Sequence, residues 1–111
     1  MISDYIEDGY TEEANIEAVE GVHGELSLTF RPPLPEKVAP IVNASGDDEK
    51  YLKLAIDVTA EHLTGWTLKM RNGEVVKISR DNVARIKSRV LLSKVIEAVC
   101  FQKNVVASLK N

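Results

Sequence analysis

The spacing of the apolar residues changes along this chain, and that change restricts the folds open to it. In residues 14–18 and 26–30 apolar and polar residues alternate, whereas in residues 52–63 the apolar residues recur every three or four positions. Alternation is typical of a strand with one buried face, and the wider spacing is typical of a helix packed on one side. Because strands and helices fall in separate runs, the pattern predicts an α+β fold.

The first hairpin is predicted over residues 13–31. Gly21 and Gly24 separate its two strands, whose apolar positions are Ala14, Ile16 and Ala18, then Leu26, Leu28 and Phe30. Each strand has one apolar and one polar face, so we expect the sheet to be covered on one side only. Three prolines between residues 32 and 35 end the hairpin, because proline has no N–H to donate to a neighbouring strand.

The proline segment has two further interpretations. Pro35 is placed to open a short helix through Val42, although Pro40 would clash with a turn already formed. The spacing of Pro32 and Pro35 also fits a polyproline ligand for an aromatic groove, and a rigid strand-to-helix connector explains it equally well. The sequence leaves both open.

A long central helix is predicted over residues 47–64. Its apolar stripe consists of Leu52, Ala55, Ile56, Thr59 and Leu63. Ser45 or Asp47 is placed to cap the first turn, and the acidic residues that follow Asp47 lie at the positive end of the helix dipole. Gly65 is the expected stop, because glycine readily adopts the left-handed conformation at a helix C-terminus.

The second hairpin is predicted over residues 66–78. Asn72-Gly73 separates two extended runs, and this pair favours a two-residue turn because both residues tolerate positive φ. In that register Met70 lies opposite Val75. We expect the Trp66 ring to be buried where the hairpin meets the central helix.

The last third of the chain is predicted to form two helices instead of one. At about 100° per residue, Val83, Ile86 and Val90 lie on one side, whereas five later apolar residues occupy a different arc: Leu91, Leu92, Val95, Ile96 and Val99. One straight helix would be apolar nearly all round. A break at Lys87-Ser88 removes this conflict and gives helices over 80–86 and over 89–101 or beyond, with Ser88 as an N-cap.

Charge is distributed unevenly along the 111 residues, a length suited to a single domain, 1–111. The net charge is −3, yet residues 1–30 hold eight carboxylates and no lysine or arginine, a local net charge of −8. Residues 66–111 hold ten cations against three carboxylates, a local net charge of +7. Either the two halves meet and partly neutralise each other, or they form surfaces suited to head-to-tail self-association or to two partners. Residues 1–12 are expected to be a loosely held acidic arm.

Composition also bears on the compartment. Apolar residues make up 44% and charged residues 28% of the chain, which are ordinary globular values and exclude wholesale disorder. No apolar run approaches the roughly 18 residues that a membrane span needs, and the N-terminus carries no visible export signal. Cys100 is the single cysteine and cannot form an internal disulfide, so a reducing cytoplasm is the expected setting.

No group of residues in the sequence marks a catalytic, cofactor-binding or metal-binding site. His23 and His62 lack a third ligand at a suitable spacing, and Cys100 falls on an apolar helix face, where a packed thiol is expected. The N-terminal carboxylates are interpreted as a solvated surface. Nucleic acid is disfavoured as a partner because the chain is acidic, no aromatic residues are interleaved, and the C-terminal cations scatter around their helices: Arg80, Arg85, Lys87, Arg89 and Lys94.

A protein partner is the class of ligand that the last helix favours. Phe101 lies off the main apolar stripe of this helix, on the side of Val90 and Val105. If that side faces solvent, the three residues form a small hydrophobic patch for a helical partner. The alternative is that another element of the fold covers it.

Several segments resemble the small phage proteins known as tail assembly chaperones. They are Trp66-Thr67-Leu68, Asn72-Gly73-Glu74-Val75-Val76 and the run from Ile78 to Ile86, within a similarity over residues 26–101. Proteins of that family have a tryptophan, a short turn, a capped short helix and a longer apolar helix. Lys87-Ser88 stands where many relatives have proline. The resemblance implies no catalytic residue and no cofactor. It implies that the protein keeps the long helical tape-measure protein soluble while tail tube subunits polymerise around it.

We therefore expect a non-enzymatic phage or prophage tail assembly protein in the cytoplasm of a bacterial host. Its expected partner is a helical tape-measure or tail tube protein. Two alternatives stay open: a structural component of the tail or of the head–tail junction, and a small nucleic-acid-binding regulator that uses the basic C-terminal helices.

Overall fold

A computed structural model describes residues 4–103 of the chain. Within that range the elements follow in the order β1 (Glu12–Ile16), β2 (Leu26–Phe30), α1 (Pro35–Asn43), α2 (Asp48–His62), β3 (Leu63–Trp66), α3 (Arg80–Ala84) and α4 (Arg89–Phe101). The fold is α+β, as predicted, with two hairpins, a long central helix and separate C-terminal helices.

Strands β1, β2 and β3 form one antiparallel sheet with β2 in the centre. The first hairpin pairs Ala14 with Leu28 and Ile16 with Leu26, and these side chains are buried. Polar residues alternate with them on the more exposed face: Glu13, Asn15, Ser27 and Thr29. The prediction of a sheet covered on one side is therefore confirmed. Ala18 lies exposed beyond the end of β1.

Strand β3 continues directly from the last turn of α2. The predicted stop at Gly65 is wrong, because the helix ends at His62 and Leu63 already has extended angles of φ −67° and ψ 131°. The free edge of β2 accounts for this: the Arg31 N–H donates to the His62 carbonyl oxygen at 2.9 Å, and β3 pairs with β2 at once. Gly65 lies within the strand opposite Thr29 and needs no left-handed conformation.

The second hairpin follows β3, but its turn differs from the predicted one. The Met70 N–H donates to the Glu74 carbonyl oxygen at 2.8 Å, and the Gly73 N–H donates to the Met70 carbonyl oxygen at 2.9 Å. Gly73 has a φ of 90°, whereas Asn72 has a negative φ, so the prediction of positive φ at both positions is wrong. The loop has three residues and ends in a left-handed glycine, an arrangement that adds one residue to a hairpin.

This loop moves the register by one residue. Lys69, instead of Met70, lies opposite Val75, and the Val76 N–H donates to the Leu68 carbonyl oxygen at 2.8 Å. Since side chains alternate between the faces of a hairpin, the shift places Leu68, Met70 and Val76 on one face.

Helix α1 forms despite the proline in its interior. Pro35 opens the helix as predicted, and Pro40 lies within it, where it removes one backbone hydrogen bond. Pro32 is buried. Its burial favours the interpretation of the proline segment as a connector over that of a polyproline ligand.

The predicted break between the two C-terminal helices is confirmed. Ser79 and Ser88 cap α3 and α4, since each Oγ accepts a hydrogen bond from a backbone N–H three residues later at 3.1 Å. Between the two helices Ile86 is 6% exposed. The break therefore turns an apolar side chain of the connection into the core.

The helices and the sheet share one core. Helix α2 packs against α1, α3 and α4, and α4 also contacts β1. Two carboxylates of α2 form ion pairs with neighbouring helices. Asp57 pairs with Arg80 at 2.8 Å, and Glu61 pairs with Lys37 at 3.3 Å. None of the helices formed by residues 4–103 is long and apolar enough to cross a membrane.

The acidic and basic halves of the chain meet where β1 contacts α4. One N-terminal carboxylate departs from the predicted solvated surface: Glu12 is 9% exposed. Its two oxygens accept hydrogen bonds from the Tyr10 hydroxyl at 2.9 Å and from Gln102 Nε2 at 3.2 Å. The alternation of β1 places Glu12 on the inner face of the sheet, and these two donors replace the water it loses.

Candidate functional site

The predicted partner surface lies on the outer side of α4. At about 100° per residue, the buried residues cover an arc of roughly 200°; they are Leu91, Leu92, Val95, Ile96, Ala98, Val99 and Cys100. Val90 and Phe101 lie on the remaining arc, about 20° apart around the axis and about 16 Å apart along it. Val105, the third predicted residue, lies outside the described residues.

Val90 and Phe101 are not equally accessible. Val90 is 48% exposed, whereas Phe101 is half-buried and packs against the core. Between them Lys94 Nζ lies 3.2 Å from Nε2 of His23, and the Glu97 carboxylate is ion-paired at 3.4 Å. The structure therefore divides the predicted patch into an exposed valine and a partly covered phenylalanine, with charged side chains between them.

A second surface, which the sequence analysis missed, lies between the second hairpin and α3. This surface, termed the basic groove, encloses about 520 Å³ and is lined by Leu68, Lys69, Met70, Val76, Lys77, Asn82, Arg85, Ile86 and Lys87. Its apolar residues come from two places. The register shift brings Leu68, Met70 and Val76 onto one face of the hairpin, and Ile86 comes from the connection after α3.

The charged lining of the basic groove has a single sign. Of the residues that the structure describes, four cations line it and no carboxylate does; the cations are Lys69, Lys77, Arg85 and Lys87. These four cations take part in none of the ion pairs formed between described residues. Asn82, the remaining polar residue, donates through Nδ2 to the Lys77 carbonyl oxygen at 2.7 Å. Within residues 4–103, the groove is therefore an apolar floor surrounded by cations that have no ion-pair partner.

Trp66 holds part of the floor of the basic groove in place. Trp66 is 7% exposed, which confirms its predicted burial. The indole Nε1 donates to the carbonyl oxygen of Val76 at 2.6 Å. Since Val76 lines the groove, the tryptophan fixes the position of the hairpin strand that forms its floor.

The sequence carries part of the signal for this groove. Seven cations stand against two carboxylates in residues 66–89, a local net charge of +5. The cations of α3 and α4 scatter around their helices, so no stripe appears in the helical pattern. They form a surface only together with Lys69 and Lys77 of the hairpin, and the predicted register placed the floor residues on different faces.

Cys100 and His62 each lie close to a polar group of the fold. Cys100 is 6% exposed, and its Sγ lies 3.4 Å from the hydroxyl of Thr59, which is fully buried. Burial raises the pKa of the Cys100 thiol, and the Thr59 hydroxyl partly offsets that rise. His62 Nδ1 lies 2.8 Å from the carbonyl oxygen of Val58, one turn earlier in α2. Residues 4–103 bring together no three side chains of the metal-binding types His, Cys, Asp and Glu.

Comparison with models of protein families, with curated protein sequences and with solved structures produced no significant match to this chain. Its function is therefore inferred from its residues and their geometry.

Proposed function

We propose that the protein is a non-enzymatic phage or prophage tail assembly factor that binds a helical tail protein, such as the tape-measure protein, as a chaperone. The resemblance of residues 66–86 to tail assembly chaperones supports this role. The structural observation that carries the proposal is the outer face of α4, where Val90 and the uncovered part of Phe101 lie on one side of the helix. These two apolar positions, on either side of Lys94 and Glu97, can contact the apolar face of a partner helix.

The small exposed apolar area of Val90 and Phe101 indicates weak, reversible binding. Burial of apolar surface contributes about 25 cal/mol per Å², and the cost of ordering the partner reduces that gain. Val90 supplies the larger free area because Phe101 already packs against the core. A low affinity suits a chaperone, since the tape-measure protein must leave it when the tail tube forms.

The decisive experiment is co-expression with a candidate tape-measure protein. We expect the wild-type chain to keep that protein in the soluble fraction and to co-purify with it. Val90→Asp should abolish both effects, because a carboxylate would have to lose its water in an apolar contact. Phe101→Asp is a poorer test, since it also disturbs the core.

The matched control is Val42→Asp, on α1. Val42 is 53% exposed, close to the 48% of Val90, and lies on a different element. It should leave co-purification unchanged. If the partner is equally soluble without the protein, or equally well bound by the Val90→Asp variant, the proposal fails.

A structural role in the tail makes a different prediction. A tail component stays in the finished particle in fixed proportion, whereas a chaperone is released before completion. Quantitative mass spectrometry of purified tails separates the two, and a stoichiometric amount of this chain would replace the chaperone role with the structural one.

A further inference from the structure

We infer that the basic groove binds the acidic arm of a second copy of this chain. The part of that arm that would enter the groove is residues 4–8, three carboxylates around two apolar residues: Asp4, Tyr5, Ile6, Glu7 and Asp8. Tyr5 is 73% exposed and Ile6 is 40% exposed. This inference does not depend on the proposed role in tail assembly.

The arm and the groove are complementary in both polarity and charge. The groove has an apolar floor that includes Leu68 and Met70, and methionine adapts its shape to irregular apolar partners. Four cations surround that floor, and no carboxylate from the described part of the chain lines the groove. A segment that places Ile6 on the floor brings carboxylates toward those cations from either side along the chain.

The arm does not reach the basic groove of its own chain in this structure. Ile6, Glu7 and Asp8 border a gap of about 390 Å³, whose other walls include Arg31 and Glu61. Residues 4–9 are exposed and belong to no helix or strand, so the arm can move without disrupting an element of the fold. Arm and groove therefore meet between copies, with the arm of one copy in the groove of the next.

A nucleic acid fits the groove less well than the arm does. Single-stranded nucleic acids are held by stacking on aromatic rings as well as by positive charge, and none of the aromatic residues in 4–103 lines the groove. The apolar floor has no counterpart in a phosphate backbone.

Contact through one arm is small, and this determines how the association behaves. An arm of a few residues buries less than the roughly 1,200 Å² of a stable interface. We expect association only at high protein concentration and low salt. High salt should lower the association constant by at least about tenfold, because the charges are exposed and screened.

Sedimentation velocity of the full chain, from micromolar to millimolar concentration, tests the inference. It is measured on variants in which the charges of the arm or of the groove are reversed. One variant reverses the arm (Glu7→Lys with Asp8→Lys) and another reverses the groove (Lys69→Glu with Lys87→Glu). All four residues are exposed, so the fold should persist. Neither variant should associate with itself. An equimolar mixture of the two should associate, since a basic arm meets an acidic groove and an acidic arm meets a basic one.

The control exchanges exposed charges outside both surfaces, Glu17→Lys with Lys53→Glu, and should associate like the wild type. Val90→Asp should also associate normally, which separates this inference from the proposed function. A wild-type chain that stays monomeric at millimolar concentration and low salt overturns the inference. So does a mixture that fails to associate, or a short DNA duplex that binds the wild type and not the groove variant.

Discussion

Trp66 is stabilised both by apolar burial and by one hydrogen bond, and substitutions can separate the two. Trp66→Ala removes both, and we expect a loss of about 3–5 kcal/mol in the free energy of unfolding. Trp66→Phe keeps most of the apolar ring but loses the 2.6 Å bond from Nε1 to the Val76 carbonyl, at about 1–2 kcal/mol. Urea unfolding of the three proteins measures both values. Equal losses for the two variants would show that the hydrogen bond dominates.

Cys100 should react slowly with alkylating reagents in the folded protein. Burial raises the pKa of its thiol above the ordinary value of 9.0, and the thiolate is the reactive form. A pKa raised by folding stabilises the folded state below pH 9.0, and that contribution is lost as pH rises through the folded value. Iodoacetamide labelling followed by mass spectrometry should be slow at pH 8 and fast in denaturant. Comparable rates in both conditions would place the thiol at the surface.

The turn of the second hairpin belongs to the scale of elements, and its two central residues should respond differently to alanine. Gly73 has φ 90°, where a Cβ atom costs about 1–2 kcal/mol. Asn72 has a negative φ and contributes one hydrogen bond, from the Glu74 N–H to its Oδ1 at 3.0 Å, so Asn72→Ala should cost about 0.5–1 kcal/mol. Thermal unfolding of both variants compares them. A two-residue turn with positive φ at both positions would make the costs similar.

The elements that the sequence predicted are those specified by near neighbours along the chain. Alternation around Ala14 and Leu28 predicted the first hairpin, and the change of apolar arc at Lys87-Ser88 predicted the break before α4. The entry of β3 into the sheet was missed because it depends on the edge of β2, more than 30 residues earlier. Local propensity at Gly65 favoured a helix stop, and pairing with β2 overrode it.

The candidate surfaces, too, could be predicted only where near neighbours along the chain determine them. Val90 could be placed outside the core from its helical angle, and the structure shows it exposed. Phe101 has nearly the same angle but is half-buried, because burial at the end of a helix depends on what the rest of the chain places beside it. The basic groove could not be predicted, since it depends on a one-residue register shift and on cations from two separate elements.

At the scale of the whole molecule, the acidic and basic parts of the chain are in contact in one place and apart in another. Helix α4 packs against β1, and there Glu12 is buried with neutral hydrogen-bond donors. The arm and the basic groove, in contrast, each keep charges of one sign. The two parts of the chain therefore touch at β1 and α4. Attraction between the arm of one copy and the groove of another stays a prediction.

Removal of residues 1–9 should separate folding from association. The truncated chain keeps Tyr10 and therefore its hydrogen bond to Glu12. Residues 4–9 are exposed and contain no helix or strand, so we expect the free energy of unfolding to change by less than about 1 kcal/mol.

Three carboxylates are lost, Asp4, Glu7 and Asp8, so the net charge changes from −3 to 0. The sedimentation coefficient should then no longer depend on protein concentration. A chain without net charge repels its copies less, so non-specific aggregation would be the only remaining source of large species. Circular dichroism melting and sedimentation velocity on the same samples measure both effects. A large drop in melting temperature would show that the arm is part of the fold, and self-association that survives the truncation would show that another surface joins the copies.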